Sequence, residues 1–224
     1  MLTISGMPFS GDKMLAREIA RRCGLCCLEP QVVIERAAAF GAAHTLLWNA
    51  LARPPRLADR LLHKRRIPLV LLQAALAEEI RAGAGVCWGN IADLLPPHNS
   101  NSFIRMQVQA PLEFRVSLVR EELKLNRREA IDLIQRQDRE KEQWMSRIHR
   151  IRRADTQPFD IVVNLEQMGF EEACEMLSQL VKNRRVVQTE LNDLALAYNV
   201  KAALILNRAT GHLELDAAAD NGTV

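Results

Sequence analysis

An α/β fold, a parallel sheet flanked by helices, is the class this chain of 224 residues predicts. Three features predict it. Short apolar runs suited to buried strands recur along the chain, helical stretches separate them, and the first strand passes through a glycine-bearing loop directly into a helix. Strands alternating with helices are the pattern of a parallel sheet covered on both faces, with right-handed crossovers between neighbouring parallel strands.

Leu2 to Ser5 is the first β-run, and Lys13 to Cys23 carries Met14, Leu15, Ile19 and Ala20 at helical spacing. Gly24 is placed to end that helix. Cys26 to Leu28 predicts a second short strand. Val32 to Leu51 is apolar and Ala-rich, predicting one helix that closes before "RPPR" at 53–56. "PLVLLQAALAEEIRAG" starts at Pro68 and stops at Gly83 as a further helix. "GVCWG" at 85–89 suits a buried strand. "SFIRMQVQA" at 102–110 alternates as a strand with one polar side, and "FDIVVN" at 159–164 is another strand. Leu191, Leu194, Ala195, Tyr198, Ala202, Ala203 and Ile205 mark a helical face in what reads as a separate piece after Val181. "GHLELDAAADNGTV" then alternates and turns at Asn221-Gly222, a hairpin signal whose second strand is missing. That predicts an incomplete second unit and a chain that is a fragment of a longer protein.

The composition is that of a globular protein, with 48% hydrophobic and 25% charged residues. A net charge of +3 argues against a generic nucleic-acid binder. Residues 115–153 hold 12 Lys or Arg against 7 Asp or Glu, so the positive charge is concentrated there. From charge alone that region reads as a pair of solvated helices. Five cysteines, at 23, 26, 27, 87 and 174, with no signal peptide fit a reducing cytoplasm. No 18-residue apolar run predicts a transmembrane segment. Cys23, Cys26 and Cys27 lack the partners of a four-ligand site, so no metal site is assigned; they read as small buried side chains at a helix–strand junction.

The chemistry concentrates in "GMPFSGDKM", residues 6–14. Gly6 and Gly11 have the separation of a phosphate-binding loop, in which backbone N–H groups curl around phosphates at a helix start. Where that motif has Lys followed by Ser or Thr, this chain has Asp12 and Lys13. The backbone part of the cradle depends on dihedrals and survives the change. The side-chain part does not: Asp12 repels a triphosphate unless Mg²⁺ lies between, while Lys13 can reach the phosphates from the neighbouring position.

"ISGMPFSGDKMLAREIARRCG", "VCWGNIADLLP", "VQAPLEFRVSLV", "REAIDLIQRQDREKEQWM" and "FDIVVN" occur in an order that resembles the cytidylate-kinase-like family of nucleoside monophosphate kinases, over about residues 1–182. The resemblance implies a P-loop nucleoside-kinase-like fold. It also implies a Mg²⁺-dependent transfer of the ATP γ-phosphoryl to a nucleoside monophosphate. By position, Gly6, Met7, Pro8, Phe9, Ser10, Gly11, Asp12, Lys13 and Met14 would hold the nucleotide. Lys13, Arg136, Arg139 and Lys141 would act on the transferring phosphoryl, the last three from the lid-like "RQDREK". Asp138 would orient that lid and, with Arg36, Asn90 and Arg115, fall on the acceptor side. In "WGNIAD" the family usually has Gly-Arg; Asn90 here removes a charge. The alternative implied by Asp12 and Asn90 is a catalytically impaired nucleotide-binding regulatory module. Residues 183–224 resemble the beginning of a BON domain, which implies contact with a ligand or a membrane surface.

Overall fold

The computed structural model describes residues 1–53, 66–94, 102–152, 159–213 and 215–224. Its chain order is β1 (Leu2–Gly6), α1 (Asp12–Cys23), β2 (Cys26–Leu28), α2 (Pro30–Ala38), α3 (His44–Ala52) and α4 (Arg66–Arg81). Then come β3 (Ala84–Trp88), a 3₁₀ turn (Gly89–Ile91), β4 (Ile104–Gln109), α5 (Leu112–Leu123) and α6 (Arg127–Arg152). The chain continues through β5 (Ile161–Asn164), α7 (Leu165–Met168), α8 (Phe170–Asn183) and α9 (Gln188–Leu206).

The five strands form one parallel sheet in the order β2-β3-β1-β4-β5. Leu2 of β1 stands opposite Val86 on one side and Ile104 on the other. Alternation along β1 sends Leu2 and Ile4 to one face, where Leu15, Ile19, Val163 and Leu177 complete a core under α1 and α8. The opposite face is covered by α2, α3, α4 and α9, with Trp144 of α6 joining the same apolar cluster. A third, small cluster joins α5 to α6 through Val116, Val119, Ala130 and Ile134, and Phe9 packs against it.

Several expectations change. The single helix over 32–51 is two, because Gly41 takes a left-handed backbone (φ 90°) and its N–H closes on Ala38 O at 2.9 Å. "RPPR" lies mostly outside the described residues. The cysteines at the helix–strand junction are not buried side chains: Cys26 is exposed, and Cys23 and Cys27 are only half-buried, on and beside the edge strand β2.

The piece after Val181 does not stand apart. Leu191, Leu194, Ala195, Tyr198, Ala202 and Ile205 of α9 are buried in the same cluster as α4, and Ala203 is exposed. Burying such side chains is worth about 1.5–3 kcal/mol for each large aliphatic one, so α9 belongs energetically to the first core. The Asn221-Gly222 turn forms, with both residues at positive φ (50° and 78°), but carries only one bridge, Asp220 to Thr223. The Asp193 carboxylate of α9 accepts from the Asn221 and Gly222 N–H groups at 2.9 and 2.7 Å. Among the described residues, no helix is long and apolar enough to cross a membrane.

Candidate nucleotide site

The C-terminal ends of β1 and β3 open into a cavity of about 830 Å³. The loop after β1 forms one wall with Gly6, Pro8, Phe9, Gly11, Asp12, Lys13 and Met14; Met7 and Ser10 do not line it. The loop has its glycines for steric reasons. A Cβ on Gly6 would stand 2.2 Å from Ser10 Oγ, and Gly11 has φ 91° at the N-cap of α1. The N-cap residue Gly11 brings no side chain to α1, and the carboxylate that meets the first-turn N–H groups is that of Asp12, which interacts with the Asp12 and Lys13 N–H groups. Phe9 also takes a positive φ of 62°, unusual for a residue with a Cβ and costing roughly 1 kcal/mol. Ser10 Oγ is buried without a hydrogen-bond partner inside the loop.

Lys13 is exposed, and its Nζ lies 5.7 Å from the centre of the Trp88 ring. Such a contact at an exposed site is worth about 0.5–1 kcal/mol, less than a phosphate would offer the same ammonium. Asp12 lines the cavity. Burial pushes its carboxyl up to about 6, against the opposing pull of the Lys13 backbone N–H and of Lys141, while Asp93 nearby adds to the rise.

The N-terminus of α1 behind Gly11 and a lysine at the rim are donors of the kind a polyphosphate uses; Ser10 Oγ, buried away from the cavity, is not one of them. A Mg²⁺ ion, which binds proteins through one or two carboxylates plus substrate phosphates, finds one such carboxylate in Asp12. Among the described residues, no group of three His, Cys, Asp or Glu side chains gathers to hold a metal on its own.

The floor under β1 and β3 is a polar cluster not anticipated from the sequence. Lys141 Nζ donates to Asp93 Oδ2 at 2.6 Å and to Asn90 Oδ1 at 2.7 Å, and both charged side chains are less than a tenth exposed. Ser5 Oγ donates to the same Asp93 oxygen at 3.0 Å, and Asn90 Nδ2 donates to Leu51 O at 2.7 Å. Trp144 Nε1 donates to Ala50 O at 2.9 Å, with Lys141 5.3 Å from its ring centre. Lys141 and Asn90 line the cavity, but each is already committed to internal partners.

Other expected site residues are placed elsewhere. Arg136 and Arg139 lie on the exposed side of α6, outside the cavity walls. Arg36 pairs with Glu79 at 2.6 Å and does not reach the cavity. Arg115 is buried and donates through Nε to Pro8 O at 2.8 Å, while its two terminal nitrogens grip both oxygens of Asp138, with Nη1 at 3.0 Å. It braces the phosphate loop against α6 and does not line the cavity. Helical periodicity explains the sorting. Positions 138 and 141 are three apart and share an inward face, whereas 136 and 139 fall off it.

Sequence reading missed the tryptophans as a group. All three in the chain, Trp48, Trp88 and Trp144, line the cavity, and their scarcity was the available signal. Glu121, Glu122 and Glu140 also line it; nothing local distinguishes them from solvated helix residues.

The model of the Cytidylate kinase-like family matches residues 1–167. No curated protein matches the chain at a significant level. An uncharacterized protein from Eubacterium ventriosum ATCC 27560 is similar in structure, with a TM-score of 0.61 at 13% identity, covering 82% of this chain and 98% of that one. Shikimate kinase from Bacteroides thetaiotaomicron aligns with a TM-score of 0.46 at 12% identity, over 81% of this chain and 97% of its own. The first likeness is one of fold. Neither the family match, which ends at residue 167, nor the packing of α9 supports a BON-like module.

Proposed function

Because the chain belongs to the cytidylate kinase-like family, we propose that it transfers the γ-phosphoryl of ATP to a nucleoside monophosphate, a cytidylate-like acceptor. One observation carries this reading. The Gly6–Lys13 loop, with the N-terminus of α1 behind it, faces a cavity of about 830 Å³ at the ends of β1 and β3. That cavity suits two ligands meeting end to end.

The loop N–H groups would hold the donor phosphates, and Lys13 would leave the Trp88 face to contact them. Asp12 is the carboxylate that would help hold a Mg²⁺ ion bound with the nucleotide, which would neutralise charge on the phosphate oxygens. An oxygen of the acceptor phosphate attacks in line with the departing ADP oxygen. The protein contributes position and electrostatics and forms no covalent intermediate. Trp48 and Trp88 offer aromatic surface for bases within the same walls.

Calorimetry with ATP and Mg²⁺, followed by a coupled assay across the nucleoside monophosphates, tests the proposal. Binding with turnover of at least one acceptor is expected; absence of ATP binding overturns it. The ion pair of Lys141 with Asp93, and Asn90 in place of an arginine, favour a second reading, a nucleotide-binding module without turnover. Binding with no turnover for any acceptor is its signature.

A further inference from the structure

We infer that Arg115 is a positioning residue: held by Asp138, it fixes the peptide between Pro8 and Phe9 in the orientation that makes the loop a phosphate cradle. The inference rests on the phosphate-binding reading of that loop.

The geometry is specific. Arg115 reaches from α5 across 107 positions of sequence to donate Nε–H to Pro8 O at 2.8 Å. Its terminal nitrogens are occupied by the Asp138 carboxylate of α6, so the guanidinium plane is fixed from two sides. The arginine side chain is 7% exposed and the aspartate 22%. A charged donor makes a stronger hydrogen bond than a neutral one, and the planar fork holds its direction.

The consequence follows from peptide geometry. In a planar trans peptide the carbonyl and the following N–H point in opposite directions. Anchoring Pro8 O on Arg115 therefore turns the Phe9 N–H away from the arginine. It also maintains the positive φ of Phe9, a conformation that a residue with a Cβ leaves when free to do so. A flip of this one peptide would take Phe9 to negative φ and reverse the N–H. Arg115 opposes that flip, and the packing of Phe9 on the α5–α6 cluster holds the residue from its other end. Through Asp138, the position of α6 is tied to the state of the loop.

The test is a double-mutant cycle on the full chain, read as the dissociation constant for ATP with Mg²⁺. Arg115→Met is expected to weaken binding by about tenfold or more, the scale of one charged hydrogen bond. In a Phe9→Gly background, where glycine takes positive φ without strain, the same change is expected to weaken binding by less than about threefold. A role in packing alone would give the same factor in both backgrounds and would overturn the inference, as would an Arg115→Met protein that binds like the parent. Should Arg115→Met fail to fold, Asp138→Asn replaces it in the cycle, with the same expectations. If the parent protein binds no nucleotide, the functional reading fails separately. A crystal structure of Arg115→Met, or of Asp138→Asn, then judges the strut: negative φ at Phe9 supports it, and an unchanged positive φ overturns it.

Discussion

Strands β1 and β3 lie side by side and end under the same cavity, yet they are finished in opposite ways. After β1 the chain enters a loop of positive-φ residues, a helix start with no side chain at its N-cap and a buried hydroxyl without a partner. After β3 it enters a segment whose polar side chains are satisfied from within: Asn90 at both ends of its amide, and Asp93 by Ser5 and Lys141. The difference separates two jobs within one pocket. On the proposed function, the strained backbone stands where a ligand would be held, and the closed network stands where the scaffold must not move.

The largest effect expected on this contrast comes from breaking the closed side. Asp93→Ala leaves the Lys141 ammonium buried without its counter-charge and should cost about 3–5 kcal/mol in urea unfolding. A loss under about 1 kcal/mol would mean that water replaces the carboxylate and that the floor is not closed. Next comes Gly6→Ala. With Ser10 Oγ 2.2 Å from the new methyl group, stability should fall by about 1–3 kcal/mol and nucleotide binding should be lost. Tight binding in this variant would show that the loop interior is not part of the cradle.

Lys13→Met probes the open side alone. The ammonium is exposed, so stability should stay within about 0.5 kcal/mol of the parent, while ATP affinity falls about tenfold by the arithmetic of one charged contact. A pH series on Asp12 comes next. This carboxyl ionises near 3.8 unfolded and near 6 folded, so between those values the folded protein holds the extra proton. Its contribution to stability is present below about pH 4 and is lost as pH rises through about 6. Asp12→Asn should flatten that fall, seen as a pH-dependent gap between the two urea midpoints; parallel midpoints would refute it. The smallest effect is expected from Arg136→Ala and Arg139→Ala, which should change ATP affinity by less than about twofold because neither side chain lines the cavity. A tenfold loss in either would require α6 to turn these residues inward when ligand binds.

Much of the framework was legible because its signals are local. All five strands fall within or beside the apolar runs that predicted them: β1 is buried at every position, and the others keep at least one buried apolar side chain on the sheet. The loop between Gly6 and Lys13 was legible for the same reason: its glycines answer to contacts and dihedrals a few residues apart. The lid-like "RQDREK" was located on α6, but its residues could not be sorted. Which of Arg136, Asp138, Arg139 and Lys141 faces inward depends on how α6 is rotated against its neighbours, and that is set at two places: Ala130 and Ile134 packing with Val116 of α5, and Trp144 packing into the separate cluster under α4. Likewise, the helical face of α9 was read correctly while its assignment to a second unit was not, because periodicity reports an apolar face and not its partner.

By itself, then, the sequence determined the alternation of strands and helices, the strand–loop–helix at residues 2–23 and the concentration of basic charge in residues 115–153. Each arises from patterns closed within a turn of helix or a few residues of strand. Tertiary structure alone decided that Arg115 braces Pro8 and that Lys141 is held by Asp93. It also decided that α9 completes the core of α4. These partners lie tens to more than a hundred positions apart, and only the folded packing brings their charges and apolar faces within reach of one another.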